Sequence, residues 1–179
     1  NPMERFFLEL RFPEAPAPVI RRKQGARLSM DDVFFSNVSA AIRRPLLAQY
    51  PFDERLIMSE DQQFIKAIMA AGWAIAYQPA SVVVHSHNYS LAGTFRRYFD
   101  SVCAFQQIFP DHTFGSSSSV GVSYIRREFG YVARHAWWWL PYYGFYNAAK
   151  VLATIAAHNA HRLPRRIVRR LSLNRAFWR

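Results

Sequence analysis

Apolar residues Phe64, Ile65, Ile68 and Met69 recur at the period of an α-helix and predict one buried helical face. The flanking residues frame that helix. Ser59 stands as an N-cap, and Gln62 three residues later completes a capping box. Glu60 and Asp61 fill the first turn, where the helix dipole favours negative charge, and Gly72 supplies the C-terminal stop. Upstream, Val33-Phe34-Phe35 reads as a buried strand, 38–47 as a short helix and 51–54 as a turn. Downstream, 73–77 reads as a strand, Gln78-Pro79 as a turn and 81–85 as a second strand. Strand-helix-strand spacing of this size predicts an α/β layer.

The rest of the chain follows a different pattern. Residues 1–10 mix apolar and charged positions, and their periodicity selects neither helix nor strand. Pro13, Pro16 and Pro18 make the next stretch an extended connector. A long helical pattern runs over 91–109 and stops at Pro110. Gly115 and Ser116 to Ser119 form a low-complexity loop. The remainder is mostly helical, with interruptions expected at Gly130, Pro141 and Pro164. In the last helix Ile167, Val168 and Leu171 face one way and Arg165, Arg166, Arg169 and Arg170 the other, a basic amphipathic pattern.

Charge sharpens that division. The 179 residues carry a net charge of +11. Residues 1–120 hold 12 basic and 11 acidic side chains, whereas 121–179 hold 11 basic ones and only Glu128. A tail of this kind attracts anions such as lipid headgroups or diphosphates. It carries no zinc-knuckle spacing and no aromatic RNA-binding pattern, so no nucleic-acid partner is expected. No apolar run is long enough for a transmembrane helix. The aromatic stretch at 136–143 suits either a membrane–water interface or a core. With 51% hydrophobic and 16% aromatic residues the chain is expected to fold. The single cysteine, Cys103, in an apolar helical context, reads as a structural thiol.

Two constellations carry candidate chemistry. Asp61, with Glu60 beside it, is either a dipole-matched helix start or a proton acceptor held on a rigid mount. His85 follows Asp61 by 24 residues, and His87 lies two beyond it. On a strand these imidazoles would share a face, as structural residues or as part of a metal site. Arg96 and Arg97 read as a solvated helix face or as forks for phosphate.

Taken in order, these segments resemble a known family. The series comprises 34–44, Pro51-Phe52-Asp53-Glu54, Ser59-Glu60-Asp61-Gln62, Ala71-Gly72-Trp73 and Tyr77-Gln78-Pro79-Ala80, then 85–90 and 95–100. It is similar to the acceptor half of a family 2 glycosyltransferase of the GT-A fold, in the rhamnosyltransferase-like branch. The resemblance implies an α/β fold: a partial GT-A domain over 1–110, a Ser/Gly-rich loop over 111–121 and a basic, aromatic helical tail over 122–179. It implies Asp61 as catalytic base with Glu60 as its acidic neighbour, and His85, with His87 as fallback, as a ligand of Mg²⁺ or Mn²⁺. Ser36, Asn37 and Arg43 would line the acceptor side, and Arg96 and Arg97 would meet the donor diphosphate or an anionic acceptor.

The reaction so implied is inverting transfer of a sugar, with rhamnose the candidate, from a nucleotide-diphosphate donor. The acceptor would be a glycan or a polyprenyl-diphosphate-linked chain in cell-surface polysaccharide synthesis. The family's nucleotide-binding half precedes the matching segment. The chain is therefore expected to be a fragment, inactive alone, that works in the cytoplasm or on the inner face of the cell membrane. A non-catalytic basic module that holds a membrane or polyanion is the alternative.

Overall fold

A computed structural model describes residues 1–23, 28–85, 87, 89–111 and 118–178. They form two compact units, Phe12–Ser86 and a second made of Asn1–Arg11 with His87–Arg179. The division differs from the one the charge shift suggests, because the first and fourth helices belong with the tail.

In the unit Phe12–Ser86, β1 (Val19–Arg21) and β2 (Ile75–Tyr77) pair antiparallel, with Ile20 opposite Ala76. The Tyr77 hydroxyl donates to the Pro13 carbonyl at 3.0 Å, and the Arg21 guanidinium to the Phe34 carbonyl at 2.8 Å. Val33 is fully buried, as its apolar context predicts, but 33–35 forms a turn and an irregular segment instead of a strand. The predicted helix over 38–47 is also redrawn. A 3₁₀ turn occupies Asn37–Ser39, and α2 covers Arg44–Gln49 with Pro45 in its first turn. Proline suits that position because the first-turn amide has no intrahelical partner.

α3 spans Glu60–Ala70 and buries Phe64, Ile65, Ile68 and Met69, the four residues its periodicity selects. Gly72 adopts φ +88°. Its N–H donates to the Met69 carbonyl, and that of Trp73 to the Ile68 carbonyl, each at 3.0 Å. This is a Schellman ending, which needs a residue free of Cβ at the left-handed position. Residues 81–85 do not form the predicted second strand. Val82, Val83 and Val84 are exposed and have no ladder partner in the sheet of described residues, which comprises β1 and β2.

The other unit is helical. α1 (Pro2–Arg11) starts where Asn1 Oδ1 accepts the Glu4 N–H at 2.9 Å, and it buries Met3 and Phe6. α4 (Leu91–Ile108) is capped by Ser90, whose hydroxyl accepts the Gly93 N–H at 3.2 Å. α5 covers Ser118–His135, α6 Leu140–His158 and α7 Arg165–Leu171. Gly130 does not interrupt α5, Pro141 opens α6, and Pro164 precedes α7. Most of the predicted Ser/Gly loop, residues 112–117, lies outside the described residues.

Small residues let α4 and α6 approach closely. Phe99 and Cys103 of α4 pack with Ala153 and Ala157 of α6 and with Val168 of α7. Buried Asp100 accepts the N–H groups of Leu173 and Asn174 at 2.8 and 3.1 Å, which fastens the C-terminal segment to α4. Among the described residues no helix is long and apolar enough to cross a membrane.

Candidate functional site

The site is built where α3 begins. Ser59 has φ 62°, ψ 25° and makes no side-chain capping bond, so the predicted capping box does not form. An N-cap side chain reaches the first-turn amides from extended backbone, and the left-handed conformation turns it away. The backbone carbonyl of Ser59 instead accepts the N–H groups of Gln62 and Gln63, each at 3.1 Å. A left-handed serine stores strain of roughly 1–3 kcal/mol, a feature concentrated at functional sites.

The first-turn amide of Gln62 also donates to Asp61 Oδ1 at 2.8 Å. The Asp61 carboxylate is largely enclosed, and burial raises its pKa above the usual aspartate value. The neighbouring Glu60 charge adds to that rise, while the N–H groups of Gln62, Asn37 and Asp61 itself oppose it without cancelling it. The carboxylate is therefore fixed in place by amides and remains more basic than an exposed aspartate. Both properties suit a general base.

Asn37 belongs to the 3₁₀ turn that Ser36 caps, its hydroxyl accepting the Val38 N–H at 3.4 Å. The segment proposed from sequence for the acceptor side thus meets Asp61 through a backbone amide. Sequence reasoning missed how that turn is held. The hydroxyls of Ser39 and Ser81 are 2.9 Å apart, which ties the turn to the segment leading to His85. Arg43 is exposed, and its guanidinium lies 6.0 Å from the centre of the Trp73 ring, leaving its donors on the surface. In sequence Trp73 stands as a strand residue and in the Ala71-Gly72-Trp73 motif, with no sign of its place beside Arg43.

Neither histidine lies in a strand. His85 lies in the unit Phe12–Ser86 and His87 in the other. The His87 ring stacks on Tyr89 at 5.3 Å and 17°, and the Arg97 guanidinium is 5.9 Å from the centre of the same Tyr89 ring. His87 and Arg97 thus share an aromatic platform at the start of α4, with half-buried Arg96 beside Arg97. Among the described residues no three His, Cys, Asp or Glu side chains gather to hold a metal ion. Of the neighbouring carboxylates Asp31 and Asp32, the second serves the fold. Asp32 accepts from Lys23 Nζ at 2.6 Å and from the Ser29 amide at 2.7 Å.

The chain is similar to two O-antigen chain rhamnosyltransferases. It is 30% identical over 155 residues to the O-antigen chain rhamnosyltransferase RfbN of Salmonella typhimurium, across 85% of this chain and 49% of that protein. It is 31% identical over 154 residues to the O-antigen chain rhamnosyltransferase WbaN of Salmonella anatum, across 84% of this chain and 49% of that protein. The chain spans about half the length of these curated relatives. No protein-family model and no solved structure matches it.

Proposed function

We propose that this chain is the acceptor-side part of a glycosyltransferase of the GT-A, family 2 type that transfers rhamnose in surface-polysaccharide assembly. The observation that carries the reading is Asp61, an amide-anchored carboxylate of raised pKa inside a segment similar to two rhamnosyltransferases. In the proposed reaction a glycan or lipid-linked acceptor hydroxyl gives its proton to Asp61. Its oxygen then forms a bond to the anomeric carbon of the nucleotide-diphosphate sugar from the opposite face. The glycosidic bond to the diphosphate breaks, and the nucleoside diphosphate leaves with the electron pair. The anomeric configuration inverts.

The same reading assigns other roles. Glu60 keeps negative charge beside Asp61 and so holds its proton affinity up. Ser36, Asn37 and Arg43 form the surface presented to the acceptor. Arg96 and Arg97 are proposed contacts for phosphate. His85 is the proposed imidazole ligand of Mg²⁺ or Mn²⁺, an ion that would neutralise the departing diphosphate. The described residues do not supply the rest of a ligand set.

The test is rhamnosyl transfer from a nucleotide-diphosphate donor to a lipid-linked glycan. It is run with this chain and with a form extended to the length of its relatives. Transfer by the extended form, lost in Asp61→Asn with circular dichroism unchanged, is expected. The rate should rise with pH through the elevated Asp61 pKa, because the base works only when deprotonated. An Asp61→Asn variant that retains full activity would remove Asp61 from the mechanism.

A further inference from the structure

α6 is built inside out. Its one charged side chain, Lys150, is buried, while no exposed position of the helix carries a polar side chain. After Pro141 the exposed positions are Gly144, Phe145, Ala148, Val151, Leu152 and Ile155. Their spacing of three and four places them on a single face. Phe145 is 68% exposed, Leu152 59% and Ile155 48%. The opposite face, with Tyr143, Tyr146, Ala153 and Ala157, packs into the unit. A helix face open to water is normally polar, and an apolar one is normally covered. The uncovered stripe is about 16 Å long at 1.5 Å per residue.

Two further observations say what covers it. Trp137 and Trp138, 67% and 63% exposed, stand immediately before α6. Exposed tryptophans of this kind prefer the membrane–water boundary. α5 adds exposed Val122, Ile125 and Phe129 interspersed with exposed Arg126 and Arg127. The exposed charged side chains of α5 and α7 are all basic, and the nearest exposed carboxylate, Glu9 of α1, is paired with Arg5 and meets Tyr131 of α5. Every arginine from 126 to 175 is exposed, and the one acidic residue after Asp111, Glu128, is buried against Lys150. Apolar side chains flanked by exposed arginines complement an anionic bilayer surface. A second copy of the same face would bring like charge against like charge, which disfavours self-association.

We propose that the exposed face of α6, with Trp137 and Trp138, inserts in the plane of an anionic membrane surface, while the arginines of α5 and α7 engage lipid phosphates. Insertion by α6 is distinct from attraction by the basic tail alone, and it does not depend on the transferase reading.

Flotation with phosphatidylglycerol-containing vesicles, against vesicles of phosphatidylcholine only, tests it. The chain is expected to float with the anionic vesicles and to have its tryptophan emission quenched by brominated lipid. Leu152→Glu and Phe145→Glu, both on the surface, should keep native circular dichroism and weaken binding by about tenfold or more. Arg169→Gln with Arg170→Gln should weaken it about fivefold per charge removed. If either glutamate variant fails to fold, Ala148→Glu on the same face replaces it. Flotation equal on neutral vesicles overturns the charge requirement. Flotation unaffected by the glutamate variants overturns insertion. Absence of flotation with a dimer that Leu152→Glu converts to monomer assigns the face to a second copy instead.

Discussion

Replacing Lys150 by Met perturbs the charge pair at the centre of the helical unit. Lys150 Nζ lies 3.7 Å from Glu128 Oε1, with the two side chains 10% and 1% exposed. Glu128 also accepts from the Tyr124 hydroxyl and from the Asn147 amide, each at 3.2 Å. The ammonium in turn faces the rings of Tyr98, Tyr124 and Tyr146 at 4.9, 5.1 and 5.1 Å. Burial works against the lysine charge, yet Tyr98 and Glu128 outweigh it and hold its pKa above the usual lysine value. Methionine keeps most of the stem and removes the charge. The buried carboxylate is then left with neutral donors only.

Breaking a buried pair from one side costs about 3–5 kcal/mol, since the remaining charge is uncompensated. At this chain length each 1 kcal/mol moves Tm by about 2–4 °C, so Lys150→Met should lower Tm on the order of 10 °C. Glu128→Gln should be milder. The lysine would keep three ring faces, each worth about 0.5–2 kcal/mol to a desolvated cation. The double variant leaves neither charge buried and should recover much of the loss. Urea unfolding followed by circular dichroism gives the cycle, with an expected coupling of about 2 kcal/mol. A loss below about 1 kcal/mol for Lys150→Met, or simple additivity of the two single changes, would refute the reasoning.

Three other expectations are independent of that pair. Ser59→Ala should be nearly neutral, against the loss of about 1 kcal/mol usual for an N-cap, and Ser59→Gly should stabilise the chain in thermal melts by relieving the left-handed backbone. Asp61→Asn should raise Tm at neutral pH. A carboxyl whose pKa is raised on folding contributes stability below the unfolded aspartate pKa and loses it as pH rises through the folded value, so the advantage of asparagine should vanish in acid. Cys103, whose thiol burial pushes up to about 12, should resist thiol reagents until the chain unfolds, and rapid labelling of the native protein would contradict its position against Phe99 and Ala153.

α3 was legible because every signal for it is local. Its apolar spacing, its acidic first turn and Gly72 each act within a few residues. The capping box was misread for a tertiary reason. Ser59 and Gln62 have suitable identities, but the chain enters α3 with Ser59 left-handed, a conformation no local preference of serine selects. The valines at 82–84 failed for a tertiary reason too: strand formation needs pairing, and in the fold they stay exposed and unpaired with β1 or β2. α1 escaped assignment because its buried face, Met3 and Phe6, is too short to establish a period. Asp61 was selected by order among motifs, and its contact with Asn37, 24 residues earlier, became visible only once the turn at Asn37–Ser39 folded back on it.

Net charge conceals the most consequential arrangement of the tail. Counted along the sequence, Lys150 adds to a basic segment and Glu128 subtracts from it. In the fold they cancel each other inside, where three tyrosine rings shield the ammonium. The outside is then left to arginine. Burial of one lysine on α6 also determines what the opposite face can be. With its only charge committed to Glu128, the helix has no fully exposed polar side chain over 144–155, Asn147 and Thr154 being half-buried. A helix with a lone cation facing solvent would be an ordinary amphipathic surface element. Turned as it is, α6 offers an apolar stripe beside the exposed arginines of α5 and α7, and its packing against Glu128 fixes that stripe on the outside.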